Sequence, residues 1–279
     1  MSTDTPDRAE LSALLSEQWA SNAALVRDLD ENTWRAPSPL PGWTVFDVLA
    51  HLVAIESWLL GEPLPARDPA REKIDVTTLP HVRNEFGVQN EIWLERLRPL
   101  TGEALLARFE EVTDARRTAL AKMDEQQWNE PTASPIGQVP YGRFMRVRLF
   151  DCWLHELDIA DALDRTVAEG GPRGDAAFGE ITGGLPRVLV KLGGAPDGSR
   201  IRFELTGPLA RTLDIAVQGR ARYVDGFDEP PTVTLGLDSG LLARLCGGRT
   251  TADTHLDDIT LGGDEELGLR LVRNLAFTI

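Results

Sequence analysis

Apolar residues recur along the first half of the chain at intervals of three and four. From Asp7 to Leu29 they fall on Leu11, Leu14, Leu15, Trp19, Leu25, Val26 and Leu29, one face of a helix. The breaker cluster Pro37-Ser38-Pro39-Leu40-Pro41-Gly42 follows. Thr44 with Asp47 three residues on forms a capping box in which Asp replaces the usual Glu or Gln. It predicts a second helix over about Val45–Leu60, with Val48, Leu52, Ile55 and Leu59 inward. Gly61 to Pro80, rich in Pro and charge, reads as a long loop. Helical patterns return at Val82–Leu97, Gly102–Met123 and Tyr141–Leu163, with a Pro-broken loop expected over Asn129–Pro140. Helices joined this way predict an antiparallel bundle.

The second half changes period. Gly170–Gly174 reads as a linker and Asp175–Leu192 as a helix. Ile201–Leu205, Leu213–Val217 and Thr232–Leu237 alternate as strands do. Ser239–Cys246 and Glu265–Leu275 return to helix. The division expected is a helical bundle over 1–168 and an α+β domain over 169–279.

Composition narrows the functional classes. The 279 residues carry 29 Lys+Arg against 44 Asp+Glu, a net charge of −15, and no basic stripe. Phosphate contacts dominate nucleic-acid affinity, so nucleic acid and anionic membrane are set aside as partners. Lys occurs only at 73, 122 and 191, the bias of a GC-rich bacterial genome. Two cysteines, Cys152 and Cys246, make no disulfide framework. The start, Met1 to Arg8, is polar and acidic, unlike a signal peptide. The longest apolar run, Val48–Leu60, is interrupted by His51 and Glu56 and falls short of the roughly 18 residues of a membrane span. The location expected is cytoplasmic.

Four histidines allow each to be weighed. His51 faces the apolar stripe between Val48 and Ile55. His155 follows Asp151 by four residues, so the two side chains share a helix face. Two imidazoles and a carboxylate from facing helices can hold one divalent ion and leave coordination positions open, the arrangement of a catalytic site. A lone core histidine and an Asp–His surface pair account for the same residues. Asp158 is the nearest partner for the other ring nitrogen of His155, and Arg148 can hold the Asp151 carboxylate. Cys152 points about 100° away round the helix and reads as packing. Trp58 and Trp153 read as core or pocket wall, and His81 and His255 as ordinary polar residues. Gly247-Gly248-Arg249 reads as a turn, with Arg249 a candidate for a substrate carboxylate.

Two segments tip this balance. Leu40-Pro-Gly-Trp-Thr-Val-Phe-Asp-Val-Leu-Ala-His-Leu and, about one hundred residues on, Arg148-Leu-Phe-Asp-Cys-Trp-Leu-His-Glu-Leu-Asp-Ile resemble the paired signatures of the mycothiol-dependent maleylpyruvate isomerase family. The resemblance implies a DinB-like four-helix bundle followed by a smaller sterol-carrier-like α+β domain. It also implies metal ligands at His51, Asp151 and His155, mycothiol as cosubstrate and an actinobacterial source. The isomerase itself has Glu where this chain has Asp151. The function implied is a thiol transferase or cis–trans isomerase acting on a small electrophilic or unsaturated substrate. Zinc leads as the ion, with nickel and iron also suited to two nitrogens and one oxygen. A hydrolase using metal-bound water, or a metal-free binding or regulatory protein on the same scaffold, stands as the alternative.

Overall fold

The computed structural model describes residues 7–66 and 75–278. Residues 1–6 and 67–74, and with them part of the expected Gly61–Pro80 loop and of the polar start, lie outside the described residues. The chain forms two compact units, divided between 167 and 168.

In the first unit, α1 (Arg8–Val26), α3 (Val45–Leu59), α5 (Gly102–Lys122) and α7 (Tyr141–Ala162) close a four-membered ring: α1 packs on α5 and α7, and α3 packs on the same two. Outside this ring, α2 (Glu31–Trp34) and α4 (Glu85–Leu97) both pack on α3. α3 is therefore covered on nearly all sides. Every residue from Val45 to Ala54 is buried, which explains why its sequence is apolar almost throughout. The capping box forms: Asp47 accepts from the Thr44 N–H at 3.0 Å, and the Thr44 hydroxyl accepts from the Asp47 N–H at 3.3 Å.

The loop expected over Asn129–Pro140 is instead a hairpin, preceded by α6 (Glu125–Asn129). Its strands are β1 (Pro131–Ser134) and β2 (Gly137–Pro140). Pro131 and Pro140 pair at the open end of the hairpin, Pro135 lies in its turn, and Gly137 takes φ +99° beside it. Trp58, expected as core or pocket wall, is 40% exposed. Its ring meets Phe144 edge-on at 6.2 Å, while Trp153 is fully buried.

In the second unit five strands run in the order β5-β4-β3-β6-β7: β3 (Arg200–Thr206), β4 (Arg211–Gln218), β5 (Arg220–Val224), β6 (Val233–Asp238) and β7 (Thr260–Gly263). β3 and β6 are parallel; the other pairs are antiparallel. Helices α8 (Gly171–Lys191), α9 (Ser239–Cys246) and α10 (Glu265–Arg273) pack on it. Ile201, Phe203 and Leu205 with Val233, Leu235 and Leu237 form buried rows on adjacent strands. The expected linker Gly170–Gly174 is largely the first turn of α8, whose Pro172 suits a helix start. Strands β5 and β7 were not foreseen, because their half-exposed residues carry little apolar alternation.

Among the described residues no helix is long and apolar enough to cross a membrane.

Candidate metal centre

Full coverage of α3 makes His51 a core residue, 7% exposed. α7 faces it and contributes Asp151 and His155 one turn apart. One ligand-type atom from each of the three lies within 4.8 Å of the others. The Nε2 of His51 is 3.4 Å from Asp151 Oδ2, and the Nε2 of His155 is 3.6 Å from Asp151 Oδ1. Both separations exceed the 2.7–3.2 Å typical of an N–H···O hydrogen bond. They match the edges of a tetrahedron around a zinc-sized ion, about 3.3–3.6 Å for ligand bonds of roughly 2.0–2.2 Å. The donor set therefore fits a divalent ion.

The surroundings favour the ligating forms. His155 Nδ1 is 2.8 Å from Asp158 Oδ2, and Asp158 is fully buried. A proton on Nδ1 shared with that carboxylate leaves the Nε2 lone pair directed at Asp151 and His51. Burial pushes the His51 pKa down, against the opposing pull of Asp151, which favours the neutral ring. Its Nδ1 is buried and finds no hydrogen-bond partner among the described residues. Packing holds this ring instead: Trp43 lies 5.3 Å and His155 4.9 Å away, centroid to centroid. Burial resists ionisation of Asp151, but Arg148 foremost, then His155 and His51, hold its carboxyl well below the ordinary range.

Arg148 is itself anchored. Its Nη1 donates to Asp151 Oδ2, while Nε and Nη2 donate to Glu56 Oε1 at 3.1 and 2.8 Å. The other oxygen of Glu56 accepts from Arg116 Nε on α5 at 2.8 Å. All three residues are at most 3% exposed, so three helices are tied by one buried carboxylate between two guanidiniums. Burial opposes the charge on Glu56, yet Arg148 and Arg116 outweigh it and lower its pKa.

Glu56 and Arg116 are absent from the sequence reading. Glu56 appeared there only as an interruption of the apolar run; a charged residue on a wholly buried helix is the signal that points to a buried partner. Cys152 is fully buried with its thiol pKa pushed up, chiefly by burial, which fits packing rather than nucleophilic chemistry. Arg249 belongs to the second unit, where it donates to the Gly247 carbonyl at 2.5 Å.

If the three donors hold a divalent ion, Asp158→Asn is expected to weaken its binding about 10–100-fold, the usual effect of losing a histidine's supporting carboxylate. Competition against a chromogenic chelator measures it, and unchanged affinity would remove Asp158 from that role.

Comparison with known proteins matches residues 15–160 to the model of the mycothiol maleylpyruvate isomerase N-terminal domain, and residues 175–270 to that of the MDMPI C-terminal domain. Two crystal structures of the mycothiol-dependent maleylpyruvate isomerase, one a histidine-to-alanine variant, superpose with TM-score 0.56 at 18% identity, covering 92% of this chain and 93% of theirs. At that identity the likeness is one of fold. A ubiquinone-synthesis UbiJ-SCP2 protein aligns with 33% of this chain at TM-score 0.26, too low to support an argument. No curated protein matches the chain by sequence.

Proposed function

The chain belongs to the mycothiol maleylpyruvate isomerase family, and we propose that it is a metal-dependent enzyme using mycothiol, as an isomerase or a thiol transferase, with His51, Asp151 and His155 as metal ligands. The observation that carries this reading is the triad itself: two imidazoles and a carboxylate, spaced for one ion. Three protein ligands leave a position for a further ligand. An ion bound there supplies the Lewis acidity that keeps a coordinated thiol deprotonated.

The chain's own groups prepare that site. Asp158 fixes which nitrogen of His155 faces the triad. Arg148, braced by Glu56, holds Asp151 in register. Trp43, whose ring lies 5.3 Å from that of His51 and 6.3 Å from that of His155, packs against the histidine pair. In the isomerase reading, the sulfur adds to one carbon of a cis double bond. The resulting single bond rotates, and expulsion of the sulfur returns the thiol with the trans product. In the transferase reading the new carbon–sulfur bond stays, and the carbon that received the double bond's electron pair takes a proton from solvent. Zinc is the ion proposed, on the two-nitrogen, one-oxygen donor set.

Mycothiol at 100 times its Kd is expected to stabilise the zinc-loaded protein by about 2.7 kcal/mol, or roughly 5–10 °C in melting temperature for a protein of this size. A chelator should abolish the shift, and glutathione should not reproduce it. Equal shifts with both thiols, or a mycothiol shift that survives the chelator, would overturn the reading; a hydrolase acting through bound water should show no thiol-selective shift at all.

A further inference from the structure

The two histidines of the triad are held in different ways. A metal-ligating histidine almost always donates its second ring N–H to a carboxylate, a carbonyl or water, which fixes the plane of the ring. His155 has that partner in Asp158, 2.8 Å from its Nδ1. His51 does not: its Nδ1 is buried and finds no hydrogen-bond partner among the described residues. The plane of this ring is left to its neighbours. The indole of Trp43 lies against it at 5.3 Å and 41°, and against His155 at 6.3 Å and 35°.

Trp43 orients another ring only if its own is fixed. It stands just before α3 and is half-buried, so packing does not enclose it on every side. Its backbone is tied there: the carbonyl accepts from the Ser38 N–H and from the Ser38 hydroxyl, both at 2.9 Å. The far end of the side chain is tied by Glu91 on α4, whose Oε1 accepts the indole N–H at 2.7 Å. Rotating the indole away from the histidines breaks that bond.

Glu91 is anchored in turn. It is 1% exposed, and the same Oε1 meets His81 Nε2 at 2.8 Å. Its Oε2 lies 3.2 Å from Arg98 Nη2, and Arg98 Nε donates to Asp47 Oδ1 at 2.8 Å. Asp47 belongs to the capping box of α3 and sits one turn before His51. A carboxylate on α4 is thereby registered against the helix that carries His51. His81 reaches Glu91 past Gly42, which takes φ +82°; a β-carbon there would stand 3.0 Å from the imidazole. Asp47, His81, Glu91 and Arg98 form part of the polar wall of a cavity of about 450 Å³ in the first unit.

We infer that Glu91 and Trp43 are positioning residues for His51: Glu91 holds the indole, and the indole sets the plane of the imidazole and so the direction of its Nε2. Together they do for His51 what Asp158 does for His155 through one direct bond. The inference rests on the reading of the triad as a metal site. It also gives His81, an ordinary polar residue by its sequence surroundings, a part in holding Glu91.

A double-mutant cycle on the full chain tests it, with zinc affinity measured by competition against a chromogenic chelator. Glu91→Leu removes the acceptor; Trp43→Phe keeps an aromatic ring but removes the N–H. Each should weaken zinc binding about 10-fold, the lower end of the effect of losing a group that supports a ligand. The double variant should also lose about 10-fold rather than the product of about 100-fold, because both changes act through one bond. Cobalt(II) loaded in place of zinc reads the ligand geometry through its visible absorption bands, and both single variants should shift those bands in the same way. Losses that multiply, or zinc affinity and cobalt bands unaltered in variants folded by circular dichroism, would overturn the inference while leaving the metal reading intact. If Glu91→Leu fails to fold, Trp43→Phe decides alone: shifted cobalt bands support the inference and unshifted bands overturn it. A wild type that takes up neither zinc nor cobalt overturns the metal reading, and this inference with it.

Discussion

His51→Ala is expected to fold, to purify without stoichiometric zinc, and to lose all thiol-dependent activity. The ring contributes one of three nitrogen or oxygen donors, and no other described residue of α3 belongs to the cluster. Losing a supporting carboxylate alone costs roughly 10–100-fold in metal affinity; losing a donor should exceed the upper end of that range. The fold should survive, because burial favours a neutral His51 and ring packing rather than a hydrogen-bond network holds it. A destabilisation of roughly 1–3 kcal/mol is the scale for truncating one buried side chain. Elemental analysis together with circular dichroism reads both quantities. Stoichiometric zinc in a folded variant would sink the ligand assignment. Asp151→Ala is expected to match His51→Ala.

Glu56→Ala should cost about 3–5 kcal/mol of stability, the cost of breaking a buried ion pair from one side. The carboxylate is fully buried, and its removal leaves Arg116 and Arg148 facing each other without an anion between them. Against a total stability of about 5–15 kcal/mol this is a large share. Replacing Glu56, Arg116 and Arg148 together by Leu, Met and Leu should recover most of it, since apolar groups of similar size pack without desolvating charge. That triple variant should still bind zinc poorly, because nothing then holds Asp151. Denaturant midpoints and zinc titration separate these effects. A Glu56→Ala midpoint within about 1 kcal/mol of wild type would show that the charge cluster does not brace the bundle.

The helices that carry the site were legible in the sequence because each must bury one apolar stripe, and that requirement writes a period of 3.6 into the chain. Val45–Leu59 and Tyr141–Ala162 fall within a few residues of expectation for that reason. The Asp151–His155 pair was legible from spacing alone, since one helical turn fixes which side chains are neighbours. The hairpin over 131–140 was not: its prolines read as breakers, and only pairing shows that Pro131 and Pro140 stand at strand ends with Pro135 in the turn between them. Strands β5 and β7 escaped because an edge strand is stabilised by ladder bonds to its neighbour, which leave no apolar alternation behind.

By itself, then, the sequence determined the two kinds of architecture and nominated His51, Asp151 and His155, because local periodicity and paired signatures are properties of neighbouring residues. Only the tertiary structure decided how far apart their donor atoms lie, that Glu56 is clamped between Arg148 and Arg116 across 92 and 60 residues of chain, and that Trp43 and Glu91 connect the triad to a polar cavity. Those relations depend on which helices become neighbours when the bundle closes. Burial of charge then makes partners obligatory that no short stretch of sequence contains.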